Sequence, residues 1–176
     1  MVKALVVIDM QNDFIFGALG TPEAENIVPN VANKIKSLNE NDILIFTRDT
    51  HYDNYLDTLE GTKLPVAHCI VNTWGWQIHK DILDAAENFS YMTIDKPTFG
   101  SIDLMDHVMD IFDPEDVEFE ICGLCTDICV ASNALMLRAA FPNAPITIDS
   151  TCCAGVTPAT HEAALTTMKM CQIDVL

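Results

Sequence analysis

"VEFEICGLCTDICVASNALMLRAAF", residues 117–141, passes from an apolar β-rich run into a helix-like one across a short turn. "VEFEICG" (117–123) reads as a strand and "TDICVASNALMLRAAF" as a helix. The same alternation extends in both directions. "KALVVID" (3–9), "DILIFTR" (42–48), "SYMTID" (90–95), "PITIDS" (145–150) and "CQIDVL" (171–176) read as five further strands. Several are apolar on consecutive residues, as expected of strands covered on both faces. Between them, "ENIVPNVANKIKSLNE" places Ile27, Val31, Ile35 and Leu38 on one helical stripe. "SIDLMDHVMDIF" and "TPATHEAALTTMKM" also read as helices, with Ser101 and Thr157 as N-caps and Pro158 at the first helical position. The expected fold is therefore α/β: a doubly wound, mostly parallel six-stranded sheet with helices on both faces. Residues 49–75 are the exception, polar and aromatic without helical period, and a loop that long usually carries function.

The chain has 176 residues, which suits one domain over 1–176 with a sizeable core. No apolar stretch approaches the roughly 18 residues of a membrane span. The apolar segment after Lys3 is too short for a signal-peptide core, so the expected compartment is the cytoplasm. Seven cysteines, an odd number, then read as thiols. Nine basic against 26 acidic side chains give a formal charge of −17, which speaks against nucleic-acid or membrane partners.

Ligands of open α/β sheets bind beyond the carboxyl ends of the strands. Asp9 stands there after the first strand, Asp49 and His51 after the second, and Lys96 after the third. Cys125, Asp127 and Cys129 follow the fourth. Each has a bland reading, Asp9 as a turn residue and Lys96 as a surface lysine. As a set at one edge they point to chemistry. Cys122 falls within a strand, where a buried thiol is the default, which weakens a redox reading of the Cys122–Cys125 pair. Cys129 falls in the first turn of a helix, where backbone N–H groups and the helix dipole lower a thiol pKa, as would Lys96 nearby. Packing is the favoured reading of Cys69, Cys152, Cys153 and Cys171.

"ALVVIDMQNDF", "TRDTH", His68-Cys69, "DKPTFGS" and "GLCTDICV" together resemble the isochorismatase-like cysteine hydrolases, and among them the nicotinamidase branch. The resemblance implies a triad of Asp9, Lys96 and Cys129. It also implies a cis bond before Cys125 and an oxyanion hole from the N–H groups of Cys125 and Cys129. The implied substrate is a small amide, hydrolysed through a thioester on sulfur. An aspartate is a weak base at its reference pKa of about 3.9, so burial must raise Asp9 or the pair must exchange a proton as a unit.

Asp49, His51 and His68, with Glu60 as a further ligand, suit a divalent ion such as Zn²⁺, Mn²⁺ or Fe²⁺. The resemblance assigns that ion to the pyridine nitrogen of the substrate. This chain departs from the branch's common Asp-Trp-His-Pro by reading Asp49-Thr50-His51-Tyr52, and "KLPVAHC" lacks a tryptophan before the second histidine. Those departures bear on ring specificity, leaving another carbamoyl or ureido compound as the competing substrate. Phe14 and Phe99 are candidates for an aromatic sandwich around a flat ligand. Trp74 and Trp76 read as covering the site or a subunit contact, and the resemblance implies a homo-oligomer, dimer or tetramer.

Overall fold

The computed structural model describes residues 1–176. Its strands are β1 (Val2–Ile8), β2 (Ile43–Asp49), β3 (Tyr91–Lys96), β4 (Val117–Leu124), β5 (Ile146–Ala154) and β6 (Asp174–Val175). They form one sheet in the order β3-β2-β1-β4-β5-β6, with every neighbouring pair parallel. The helices are α1 (Asn12–Ile15), α2 (Pro22–Lys36), α3 (Leu59–Lys63), α4 (Lys80–Ala85), α5 (Ile102–Ile111), α6 (Ala131–Ala140) and α7 (Pro158–Met170). α2 packs with α4 in one layer, while α5, α6 and α7 pack in sequence as another. No helix is long and apolar enough to cross a membrane.

Central β1 explains why its sequence does not alternate. Ala4 to Ile8 are all fully buried, because helices cover both faces of the sheet. Edge strand β3 alternates instead between exposed and half-buried positions up to its last residue, Lys96, which is buried. Strand order reverses between β1 and β4, the switch point at which such sheets open a crevice. Gly123 lies there with φ +117°, and a Cβ would stand 2.1 Å from Ile8 O, so only glycine lets β4 approach the end of β1 so closely.

Some boundaries differ from the sequence reading. α2 starts at Pro22, capped by the Thr21 hydroxyl, which accepts Ala24 N–H at 3.1 Å; it ends before Leu38. β5 continues to Ala154, four residues past the expected end, and β6 shrinks to two residues. Residues 49–75 are not wholly irregular, since a 3₁₀ turn at Tyr55–Asp57 and α3 lie within them. Each is too short to display a helical period.

Candidate active site and metal centre

Three strand ends meet at the switch point. Asp9, directly after β1, takes a left-handed backbone conformation with φ 47°. That turn aims its carboxylate at Lys96, the last residue of β3. Lys96 Nζ stands 2.6 Å from Asp9 Oδ2, 3.4 Å from Cys129 Sγ and 3.4 Å from Asp49 Oδ1. It also donates to Thr98 O at 3.1 Å. Thr47 of β2 fixes the other carboxylate oxygen, donating to Asp9 Oδ1 at 2.7 Å. Asp9 Oδ2 receives the ion pair but no well-aligned hydrogen bond, so a lone pair is left to accept a proton. Asp9 and Lys96 are fully buried and Cys129 nearly so.

Burial dominates the electrostatics. It raises the Asp9 carboxyl, and Lys96 offsets that only in part. It also works to lower Lys96, but Asp9, Cys129 and Asp49 together push the ammonium above the ordinary lysine range. Cys129 corrects the sequence reading, which expected a lowered thiol pKa. Burial, with the Asp9 charge behind it, pushes the thiol well up, against the pull of Lys96. The local backbone differs too: Thr126–Val130 form a wide π-type turn, and α6 proper begins after it.

Cys129 opens onto a cavity of about 310 Å³. Phe14, Phe99, Leu64, Leu124 and Cys125 contribute apolar wall, and Asp49, Glu60 and His68 line it as well. The Leu124–Cys125 peptide bond is cis. Neither tryptophan lines this cavity. Trp76 is pinned under the Arg48 guanidinium, 3.7 Å from its ring centroid, and donates its indole N–H to Thr50 Oγ1 at 2.9 Å, while Trp74 is exposed. Cys122 is fully buried in β4, where desolvation raises its thiol far from reactivity.

Asp49, His51, Glu60 and His68 each offer a donor atom, all within 4.8 Å of one another. His51 Nε2 lies 2.9 Å and His68 Nε2 3.4 Å from Asp49 Oδ2. Both imidazoles approach Glu60 Oε1, at 3.6 and 3.7 Å. His68 Nδ1 faces Val66 O at 2.8 Å; a carbonyl only accepts, so Nδ1 carries a hydrogen and Nε2 is the nitrogen turned toward the cluster. Burial works to raise Asp49, yet His51, His68 and Lys96 hold it well below the ordinary carboxylate range. Glu60 is raised, by burial and by the Asp49 charge. Two imidazoles and two crowded carboxylates are a donor set that fits a borderline divalent cation.

The isochorismatase-domain family model matches residues 3–176. The chain belongs to the isochorismatase family. It is 27% identical to the nicotinamidase of Saccharomyces cerevisiae over 173 positions, spanning 76% of this chain and 80% of that one. Among solved structures it is similar to the nicotinamidase/pyrazinamidase of Bacillus subtilis, at TM-score 0.84 and 28% identity with 99% of both chains covered. The pyrazinamidase of Pyrococcus horikoshii in complex with zinc aligns at TM-score 0.80 and 27% identity, over 100% of this chain and 99% of that one.

In this isochorismatase-family chain the residues that sequence reasoning passed over are those that hold the site together. Gln11 donates to Asp49 O and to Trp76 O, both at 2.8 Å, and accepts Asp49 N–H at 2.7 Å. Asp13 Oδ2 accepts Cys69 N–H at 2.8 Å, anchoring the residue next to His68. Tyr55 packs its ring 4.7 Å from His51 and 5.0 Å from His68, and donates to Leu64 O at 3.0 Å. Asp127, already singled out by its place after the fourth strand, accepts Val156 N–H at 3.1 Å and so ties the cavity rim to the Cys129 turn. The "MQNDF" stretch after β1 was the available signal, polar residues directly following a buried strand at the binding edge.

Proposed function

We propose that this chain is a nicotinamidase, a metal-containing cysteine amidohydrolase that converts nicotinamide to nicotinate and ammonia for NAD salvage in the cytoplasm. Residues 1–176 act as one hydrolase domain. The observation that carries the reading is Lys96 Nζ, 2.6 Å from Asp9 and 3.4 Å from Cys129, beside a cavity that the Asp49, Glu60 and His68 donors also line. The names of the relatives support the choice of ring.

Asp9 Oδ2, made more basic by burial, takes the thiol proton of Cys129 as the sulfur attacks the carboxamide carbon. Lys96 neutralises the growing negative charge on sulfur while Asp9 becomes neutral. The N–H groups of Cys125 and Cys129 receive the tetrahedral oxyanion. Asp9 gives its proton to the leaving nitrogen, the C–N bond breaks and ammonia departs, leaving a thioester on Cys129. Asp9 then deprotonates a water that attacks the thioester carbon; the C–S bond breaks, the thiol re-forms and nicotinate leaves. Phe14 and Phe99 flank the flat ring and exclude water from it. Asp49, His51, Glu60 and His68 would hold a divalent ion, Zn²⁺, Mn²⁺ or Fe²⁺, which when bound supplies a Lewis-acidic anchor for the pyridine nitrogen.

Purified protein should release ammonia from nicotinamide. Cys129→Ala should abolish the release, while Cys122→Ala should largely spare it. Equal loss in both variants, or turnover of ureido compounds with none of nicotinamide, would overturn the proposal.

A further inference from the structure

Asn133 is fully buried on α6, one helical turn after Cys129. Its amide is spent entirely on main chain from two segments. Nδ2 donates to Cys129 O at 2.8 Å and to Phe99 O at 3.0 Å, and Oδ1 accepts Ser101 N–H at 2.9 Å. Both donors and one acceptor lone pair are therefore satisfied, which fixes the amide in one orientation. The segment it grips carries two parts of the site. Lys96 opens it and bonds back to Thr98 O, and Phe99 reaches the cavity. Beyond Phe99, Gly100 lies against Met136 and Ser132 of α6, and Ser101 caps α5. Phe99 itself is only partly covered, with 42% of its surface exposed, so its own packing does not fix its place. Its carbonyl, held by Asn133, does.

We propose that Asn133 is a positioning residue that sets the distance between the aromatic wall at Phe99 and the sulfur of Cys129, and so decides how tightly a planar ring is held over the nucleophile. The inference rests on the reading of Cys129 as nucleophile and Phe99 as a ring contact. Asn133 touches no substrate. It acts through two carbonyl groups, and a gap of about 0.5–1 Å between the Phe99 wall and a bound ring forfeits about a quarter to a half of their dispersion contact, which weakens binding.

Two variants separate the links. Asn133→Asp keeps the acceptor for Ser101 and loses both donors. Asn133→Thr keeps a hydroxyl able to bond back to the carbonyl four residues earlier, that of Cys129, but is too short for Phe99; it preserves the helix if the aspartate variant does not fold. In Asn133→Thr the KM for nicotinamide should rise about five- to tenfold, with kcat changed less. Placed on a Phe99→Ala background, the same substitution should add little further rise, because the group it acts through is gone. A second readout needs no amidase activity: alkylation of Cys129 by iodoacetamide, which has no ring, followed by mass spectrometry of its peptide. That rate should stay within about twofold of wild type in Asn133→Thr, since the Cys129 tether is kept.

An unchanged KM with kcat reduced in step with folded protein would mean a merely structural asparagine and overturn the proposal. So would full additivity with Phe99→Ala, or an alkylation rate that falls as far as catalysis does. Absence of nicotinamide turnover in the wild type, with Cys129 still alkylated at its own rate, would instead count against the proposed activity. The spacing between Phe99 and Cys129 is then read by alkylation alone: a chloroacetamide bearing an aromatic ring should react with Cys129 about five- to tenfold more slowly in Asn133→Thr while iodoacetamide does not, and equal effects on both would overturn the proposal.

Discussion

Replacing Lys96 by methionine removes an ammonium whose carboxylate partner stays behind in the core. Lys96 and Asp9 are both fully buried and 2.6 Å apart, and removing one member of such a pair costs about 3–5 kcal/mol. Asp9 retains only the Thr47 hydroxyl, which donates to one oxygen at 2.7 Å. Part of the cost is relieved if the carboxyl takes a proton, which also disables it as a base. Urea unfolding at neutral pH should therefore show Lys96→Met less stable by about 3–5 kcal/mol. The double variant Asp9→Asn/Lys96→Met, which replaces the pair with uncharged groups of similar shape, should recover to within about 1 kcal/mol of wild type. Ammonia release should fall by at least about 10²–10³-fold in the single variant and stay down in the double, separating the structural role from the chemical one. A single variant within about 1 kcal/mol of wild type, or one that the second substitution fails to rescue, would refute the claim that this ion pair is desolvated and interdependent.

Two other perturbations probe different parts of the molecule. His68→Ala should abolish retention of a divalent ion through dialysis, read by elemental analysis, while leaving the far-UV spectrum unchanged, because the Tyr55 hydroxyl still donates to Leu64 O and Asp13 still accepts Cys69 N–H. On β4, Glu120 pairs with Lys3 and Lys34, and Lys34 also meets Asp149 at 2.7 Å. Burial works to raise Glu120 and Asp149, but these partners hold both below their ordinary values. A lowered carboxyl pKa contributes stability above the unfolded-state value, 4.5 for Glu120, and loses it as pH falls through the folded-state value. Glu120→Gln should accordingly cost about 1–2 kcal/mol at pH 7, and the difference from wild type should close as urea titrations move to pH 4.5 and below.

The strands that frame the site were legible because burial on both faces forces consecutive apolar residues, as in β1, and the α5 and α7 caps because Ser101 and Thr157 precede clear stripes. Asp9, Lys96 and Cys129 meet in the fold as the strand-end argument expects, and Asp9 and Lys96 were visible as polar residues closing largely apolar strands. The supporting groups could not. Thr47 and Gln11 act across 38 positions and more, mostly through main-chain atoms that no residue pattern records. The start of α2 was missed because Thr21 and Pro22 come before the apolar stripe begins. The state of the Cys129 thiol was misjudged because a helix terminus and a burial penalty pull in opposite directions, and only the fold reveals how deep the sulfur lies.

The three residues Gln11, Asn12 and Asp13 hold the 69–77 stretch by its backbone: Gln11 to Trp76 O, Asn12 to Trp74 O at 2.8 Å and to Gln77 O at 3.0 Å, Asp13 to Cys69 N–H and Gly75 O. At Gly75 a Cβ would sit 2.0 Å from the Asp13 carboxylate. These two stretches are therefore one cassette, although more than fifty residues of chain separate them. Anyone exchanging the histidine-bearing loop between relatives to redirect substrate choice would have to transplant the short segment behind the first strand along with it. A graft that brought only one half would arrive without its dock.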